Sequence, residues 1–118
     1  MQALVALCAL PEPPTAIVAA DDGLAMIAIE RLQEMGVRIP EDISVTGFDD
    51  TPLASLRWSG GLTTIRQPFR TIARTAGERL ISWLDGAPFE QSRVTLPAQL
   101  AVRGSTARCR SGTPLSEN

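Results

Sequence analysis

Two short apolar runs, each ending in a pair of aspartates and separated by one helix-length segment, constrain the fold of this chain most. The first is Thr15 to Ala20, stopped by Asp21 and Asp22. The second is Ile43 to Phe48, stopped by Asp49 and Asp50. Between them Ala25, Ala28, Ile29 and Leu32 fall on one stripe at helical spacing, with Glu30, Arg31 and Glu34 elsewhere. Asp22 is placed to cap this helix, because a carboxylate can accept the free amides of a first turn. Gly36 is a natural residue just past its end near Met35. Strand, helix and strand at this spacing make a βαβ unit, which requires a parallel sheet and a right-handed crossover.

The rest of the chain extends this α/β reading. Met1 to Leu10 is rich in Ala and Leu and reads as a helix with no cap before it, ended by Pro11-Glu12-Pro13-Pro14. Val37 to Asp42 is a loop. Asp49 to Gly61 is a loop with one helical turn expected around Leu53-Ala54-Ser55. Leu62 to Arg66 is a third strand. Pro68 suits the first turn of a helix whose apolar face is Phe69, Ile72, Ala73, Ala76, Leu80 and Leu84, closed by Asp85-Gly86. Arg93 to Leu96 and Gln99 to Val102 read as two strands broken by Pro97. Everything after Gly104 is polar and small and reads as a disordered tail.

Composition removes several classes of function. The chain has 118 residues, enough for one ordinary domain, with a net charge of −2 and no histidine. All eleven basic side chains are arginine, scattered along the sequence, so there is no basic stripe for nucleic acid. Without histidine the commonest general base and metal ligand are missing. There is no G-x-S-x-G elbow, P-loop or G-x-G-x-x-G, and Ser59-Gly60-Gly61 precedes a strand rather than opening a helix. No metal-ligand spacing occurs. These patterns call for no enzyme, no cofactor and no metal. No apolar run reaches the ~18 residues of a membrane span, and the start lacks a signal peptide's basic region. A cytoplasmic location without membrane partners is expected. Cys8 and Cys109 lie far apart; Cys8 is expected to pack as a small hydrophobe.

The candidate ligand contacts are Asp21, Asp49, Gln67 and Phe69. Asp21 and Asp49 lie just past the carboxyl ends of parallel strands, where open α/β sheets bind ligands. A carboxylate accepts two donors at the spacing of vicinal hydroxyls, and each such bond contributes about 1.5–3 kcal/mol. The same aspartates can instead serve only as helix and turn caps, which is the reading given to Asp22 and Asp50. Gln67 offers donor and acceptor and Phe69 a ring to stack on; equally, Gln67 can be a satisfied turn residue and Phe69 core.

Four ordered segments resemble the lactose-repressor/galactose-repressor (LacI/GalR) family. They are Pro14-Thr15-Ala16-Ile17-Val18-Ala19-Ala20-Asp21-Asp22, Ile39-Pro40-Glu41-Asp42 with Ile43-Ser44-Val45-Thr46-Gly47-Phe48-Asp49-Asp50, Leu62-Thr63-Thr64-Ile65-Arg66-Gln67-Pro68, and Val102-Arg103-Gly104-Ser105-Thr106. The resemblance implies a periplasmic-binding-protein-like fold of two Rossmann-like lobes, with only the C-terminal part in this chain. By that layout residues 1–66 belong to the C-terminal lobe, 67–95 to the N-terminal lobe, and 96–107 are the return strand. Residues 108–118 are a disordered tail, and residues 66–68 are one hinge crossover. It implies a sugar-like small-molecule effector bound between the lobes and a homodimer in the full-length parent. Operator DNA would be bound only through an N-terminal helix-turn-helix not contained in this chain. Asp49 matches the first aspartate of the family's Gly-aromatic-Asp-Asp motif, which contacts effector. Asp21 stands where the family usually has asparagine, and Gln67 and Phe69 match crossover residues near the pocket. Gly60-Gly61 replace two prolines usual before Leu-Thr-Thr, in a loop that lies near the dimer interface in relatives, and are expected to make it more mobile. The alternatives are a sugar-binding protein of a transport system, a small standalone interaction domain and a truncated, non-functional fragment.

Overall fold

The computed structural model describes residues 2–52, 54, 58–88 and 93–109. The elements run α1 (Gln2–Cys8), β1 (Ala16–Val18), α2 (Asp22–Glu34), β2 (Ser44–Thr46), β3 (Thr64–Arg66), α3 (Phe69–Leu84) and β4 (Gln99–Ala101). The βαβ unit is present: β1 pairs parallel with β2, Ala16 opposite Ser44 and Val18 opposite Thr46. Each strand is three residues long, shorter than the sequence suggests, but the ladder continues past both ends. Ser44 N donates to Thr15 O (2.9 Å), Ala19 N to Thr46 O (2.9 Å) and Asp22 N to Phe48 O (3.0 Å).

The other side of β2 is closed by the segment leading into β3. Single parallel bridges join Thr46 to Thr63 and Asp49 to Arg66, while β3 pairs antiparallel with β4, Ile65 opposite Leu100. At the start of β2, Val45 N donates to Ser105 O (2.8 Å). Ser105 is fully buried, and its hydroxyl donates to Val45 O (2.6 Å) while accepting from Thr63 N (2.8 Å). The stretch immediately after Gly104 is therefore part of the fold, and the tail expected to begin there does not. A small polar residue reads as tail in sequence, yet Ser105 is the right size to satisfy two strand backbones at once. Ala107 N also donates to Ser44 Oγ (3.2 Å). Of the tail placed at 108–118, residues 110–118 lie outside the described residues.

The core lies where α2 covers this sheet. Ala25, Met26, Ile29 and Leu32 are buried against Ile39, Ile43, Val45, Ala54 and Leu62, with Leu4, Cys8, Ile17 and Trp58 at the margin. Met26 takes the buried place expected for Ala28, which is half-buried. Cys8 packs as expected of a small hydrophobe, and the two cysteines are not joined by a disulfide. Gly36, at φ +78°, ends α2 as expected, and Val37 N reaches back to Leu32 O (2.9 Å).

Three further expectations are corrected. Residues 93–96 form no strand; of the two expected strands, Gln99–Ala101 is the one that forms, pairing with β3. The helix cap belongs to Asp21, not Asp22: Asp21 Oδ1 accepts Leu24 N (2.7 Å), while Asp22 is the first helical residue and wholly buried. The Gly60-Gly61 end of its loop is tied down. Gly104 N donates to Gly60 O (2.8 Å), Ser105 N to Gly61 O (3.2 Å) and Gly61 N to Trp58 O (3.0 Å). Gly61 takes φ +68°, which proline cannot adopt, and a Cβ there would lie 2.7 Å from Arg103 Cδ. The helical turn expected around 53–55 falls largely on residues outside those described.

α3 differs from α2 in burying nothing. Its apolar face is where the spacing placed it, but Phe69, Leu80 and Trp83 are each about half exposed. A cleft of about 930 Å³ runs beside this face, lined by Ile72, Ala76, Leu80, Trp83, Val94 and Leu96 among others. Among the described residues no helix is long and apolar enough to cross a membrane.

Candidate functional site at the end of the parallel strands

The site is built by the strand ends, as the two aspartate pairs require. Gly47 lies between β2 and its pair of acids because nothing larger fits: a Cβ there would strike Asp22 Oδ1 and come within 2.8 Å of Leu62 Cδ2. The Asp22 carboxylate fills that space. Its Oδ2 accepts Thr51 N (2.6 Å) and Thr51 Oγ1 (3.1 Å), and its Oδ1 accepts Thr64 Oγ1 (2.5 Å). Asp22 thus clasps the start of α2 to β3 and to the loop after β2. This buried clasp goes beyond the capping role its sequence position suggests.

Of the four residues singled out as ligand contacts, the structure joins Asp49 and Gln67 directly. Gln67 Nε2 donates to Asp49 Oδ1 at 2.7 Å, and both side chains are half-buried. The bond between Asp22 N and Phe48 O holds the turn bearing Asp21 alongside the one bearing Asp49. Asp21 is half-buried, with one oxygen occupied by its capping bond. Phe69 begins α3 two residues after Gln67, its amide bonded to Gln67 O (2.9 Å), and is 51 % exposed. The alternative that Phe69 is core therefore fails in this structure.

The backbone at the acids is unusual. Asp49 has φ +103° and Asp50 φ +53°. Left-handed conformations at residues with a Cβ cost about 1–3 kcal/mol each and persist when surrounding contacts enforce them. Asp49 N donates to Ile65 O (2.9 Å). Asp50 turns its carboxylate inward, where side-chain exposure is 8 %, and receives Nε of Arg66 and Nη2 of Arg103. Burial pushes the Asp50 carboxyl up, but hydrogen bonds and charge from Arg103 and Arg66 outweigh it and hold the group below its ordinary value. Among the described residues, Arg66 and Arg103 are thereby both engaged by Asp50. Among the described residues neither Asp21 nor Asp49 is ion-paired.

Among the described residues, the resulting surface presents hydrogen-bond acceptors, with its arginines paired to Asp50. It suits a ligand that donates hydrogen bonds and disfavours an anion close to Asp21 and Asp49. The role of Arg103 was not legible, since it lies 53 residues from its partner; the available signal was an aspartate beside a candidate ligand contact, with arginine in each returning segment.

Comparison with known proteins fits this geometry. The periplasmic binding protein-like domain family matches residues 1–106. The HTH-type transcriptional regulator MalR of Streptomyces coelicolor is 39 % identical over 93 residues, which are 79 % of this chain and 27 % of that protein. A solved LacI family transcriptional regulator from Enterococcus faecium, with bound ribose, superposes with a TM-score of 0.78 at 30 % identity, covering 90 % of this chain and 38 % of that one. Another from Arthrobacter sp. FB24, in complex with lactose, gives 0.75 at 38 % identity, covering 89 % and 39 %. The chain spans about a quarter of MalR's length, and these relatives are transcriptional regulators rather than enzymes.

Proposed function

The chain belongs to the periplasmic binding protein-like domain family, in company with the LacI-type regulators it matches, and we propose that it is the effector-sensing part of a bacterial DNA-binding transcriptional regulator, with a sugar-like metabolite as effector. The observation that carries this reading is the Asp49 carboxylate, held at the end of β2 by Gln67 and set beside Asp21. Two acceptor side chains on adjacent strand ends fit the vicinal hydroxyls of a sugar, and lactose and ribose in the two solved relatives belong to that class. Asp21 adds charge where relatives commonly carry a neutral amide, which favours hydroxyl-rich or cationic ligands.

In this reading residues 1–66 and 96–107 form one lobe and residues 67–95 contribute to a second, with the effector between them. The contrast between the packed sheet and the uncovered α3 supports that division. Effector binding would favour one arrangement of the lobes in a dimer. That population shift would alter operator binding by a helix-turn-helix outside these 118 residues. The test is Asp49→Ala in the full-length regulator, titrated calorimetrically with lactose and with ribose. Affinity for whichever sugar the unaltered protein binds should fall at least tenfold; unchanged affinity would count against the assignment.

A further inference from the structure

Two consecutive non-glycine residues with positive φ need external support, and the structure supplies it unequally. Asp49 is held by Ile65 O and Gln67 Nε2. Asp50 is held by two arginines that differ in anchorage. Arg66 has a side chain 56 % exposed, so its contribution is screened by water, whereas that of Arg103 is 22 % exposed. Arg103 is also fixed along its length. Its Nη1 donates to Leu62 O (2.7 Å), its amide donates to Thr63 Oγ1 (2.9 Å), and its stem occupies the space that a Cβ on Gly61 would need. A planar guanidinium can donate to a carbonyl and a carboxylate together, which a lysine in its place cannot do with the same geometry.

We propose that Arg103, acting through Asp50, is a positioning residue for Asp49. Its fork fixes the Asp50 carboxylate to the base of β3. That fixes the left-handed turn, and the turn aims the Asp49 side chain at Gln67 and the open strand ends. Because Arg66 ends β3 and Arg103 follows β4 beside the start of β3, side chains from both strands of this antiparallel pair meet at Asp50. A displacement of either strand is passed to the acceptor one residue away. The proposal rests on reading Asp49 as a ligand contact, but its physical content is the geometry of Asp49, which is measurable without ligand.

The test uses the whole chain, isotopically labelled, in solution without added ligand. In Arg103→Gln the three-bond coupling between the amide and alpha protons of Asp49, which reports φ, should move toward the value of extended backbone. The Asp49 amide should exchange with solvent at least fivefold faster, while Ile29 and Val37 in and after α2 keep their rates. Arg103→Lys should give an intermediate coupling. An unchanged Asp49 coupling in folded Arg103→Gln overturns the proposal. If Arg103→Gln accelerates every amide alike, Arg66→Gln decides: a smaller shift of the same sign at Asp49 supports the proposal, and no shift overturns it. Loss of effector affinity in Asp49→Ala is a separate result, so failure of the ligand reading and failure of the positioning role are distinguishable.

Discussion

Asp22 carries a carboxyl group into the interior, with no exposure, and three donors converge on it from Thr51 and Thr64. Removing it would leave the Thr64 hydroxyl buried, and the two Thr51 donors part-buried, without that partner. Asp22→Ala is expected to destabilise the packed half of the chain by about 3 kcal/mol, read as a shift in urea midpoint. Asp50 gives a different signature because its carboxyl is held below its ordinary value by Arg103 and Arg66. A group depressed in the folded state stabilises above its unfolded value, about 3.9, and loses that contribution as pH falls through the folded value. Asp50→Asn should therefore cost about 1–3 kcal/mol near neutral pH. The gap between it and the unaltered chain should narrow on acidification below about pH 4. A gap constant from neutral to acid would refute the ion-paired role.

At the scale of elements, α2 and α3 carry the same kind of sequence pattern and meet opposite fates. Ile29 is 1 % exposed and Leu32 fully buried, whereas Leu80 is 53 % and Leu84 70 % exposed. Ile29→Ala should cost about 2–5 kcal/mol by loss of transfer energy and cavity formation. Leu80→Gln or Leu84→Gln should stay within about 0.5 kcal/mol in this chain. A large loss at Leu80 would mean that α3 packs in solution as it does not here. Periodicity specifies which face of a helix is apolar; it carries no information on what covers that face. The strand expected at 93–96 failed for the same reason, since an extended apolar segment becomes a strand only when a neighbour supplies hydrogen bonds.

At the scale of the whole molecule the packing is uneven: the sheet beneath α2 holds a buried core, and α3 buries none of its residues. Val18 of β1 is 83 % exposed, although parallel sheets are ordinarily covered on both faces. Together with the bare face of α3, this places a substantial apolar area in water. Exposed area of that kind forfeits about 25 cal/mol per Å², and a few side chains amount to a large share of a domain's stability. The isolated chain should therefore be marginal: α2 and its sheet protected against hydrogen exchange, α3 exchanging rapidly, and heat unfolding broad. A sharp two-state melt from a purified monomer would overturn this.

The sequence by itself determined the βαβ unit, the helical faces, the glycine that ends α2, and the strand ends that carry Asp21 and Asp49. Each follows from local periodicity, turn chemistry or the fixed handedness of parallel crossovers, which neighbouring residues suffice to set. Tertiary structure alone decided that Asp21 caps α2 while Asp22 is buried, that Ser105 joins the sheet, and that Arg103 reaches Asp50. Those outcomes depend on which distant groups arrive to satisfy a buried donor or acceptor. Adjacent aspartates are chemically identical until the fold gives one of them solvent and the other a set of partners.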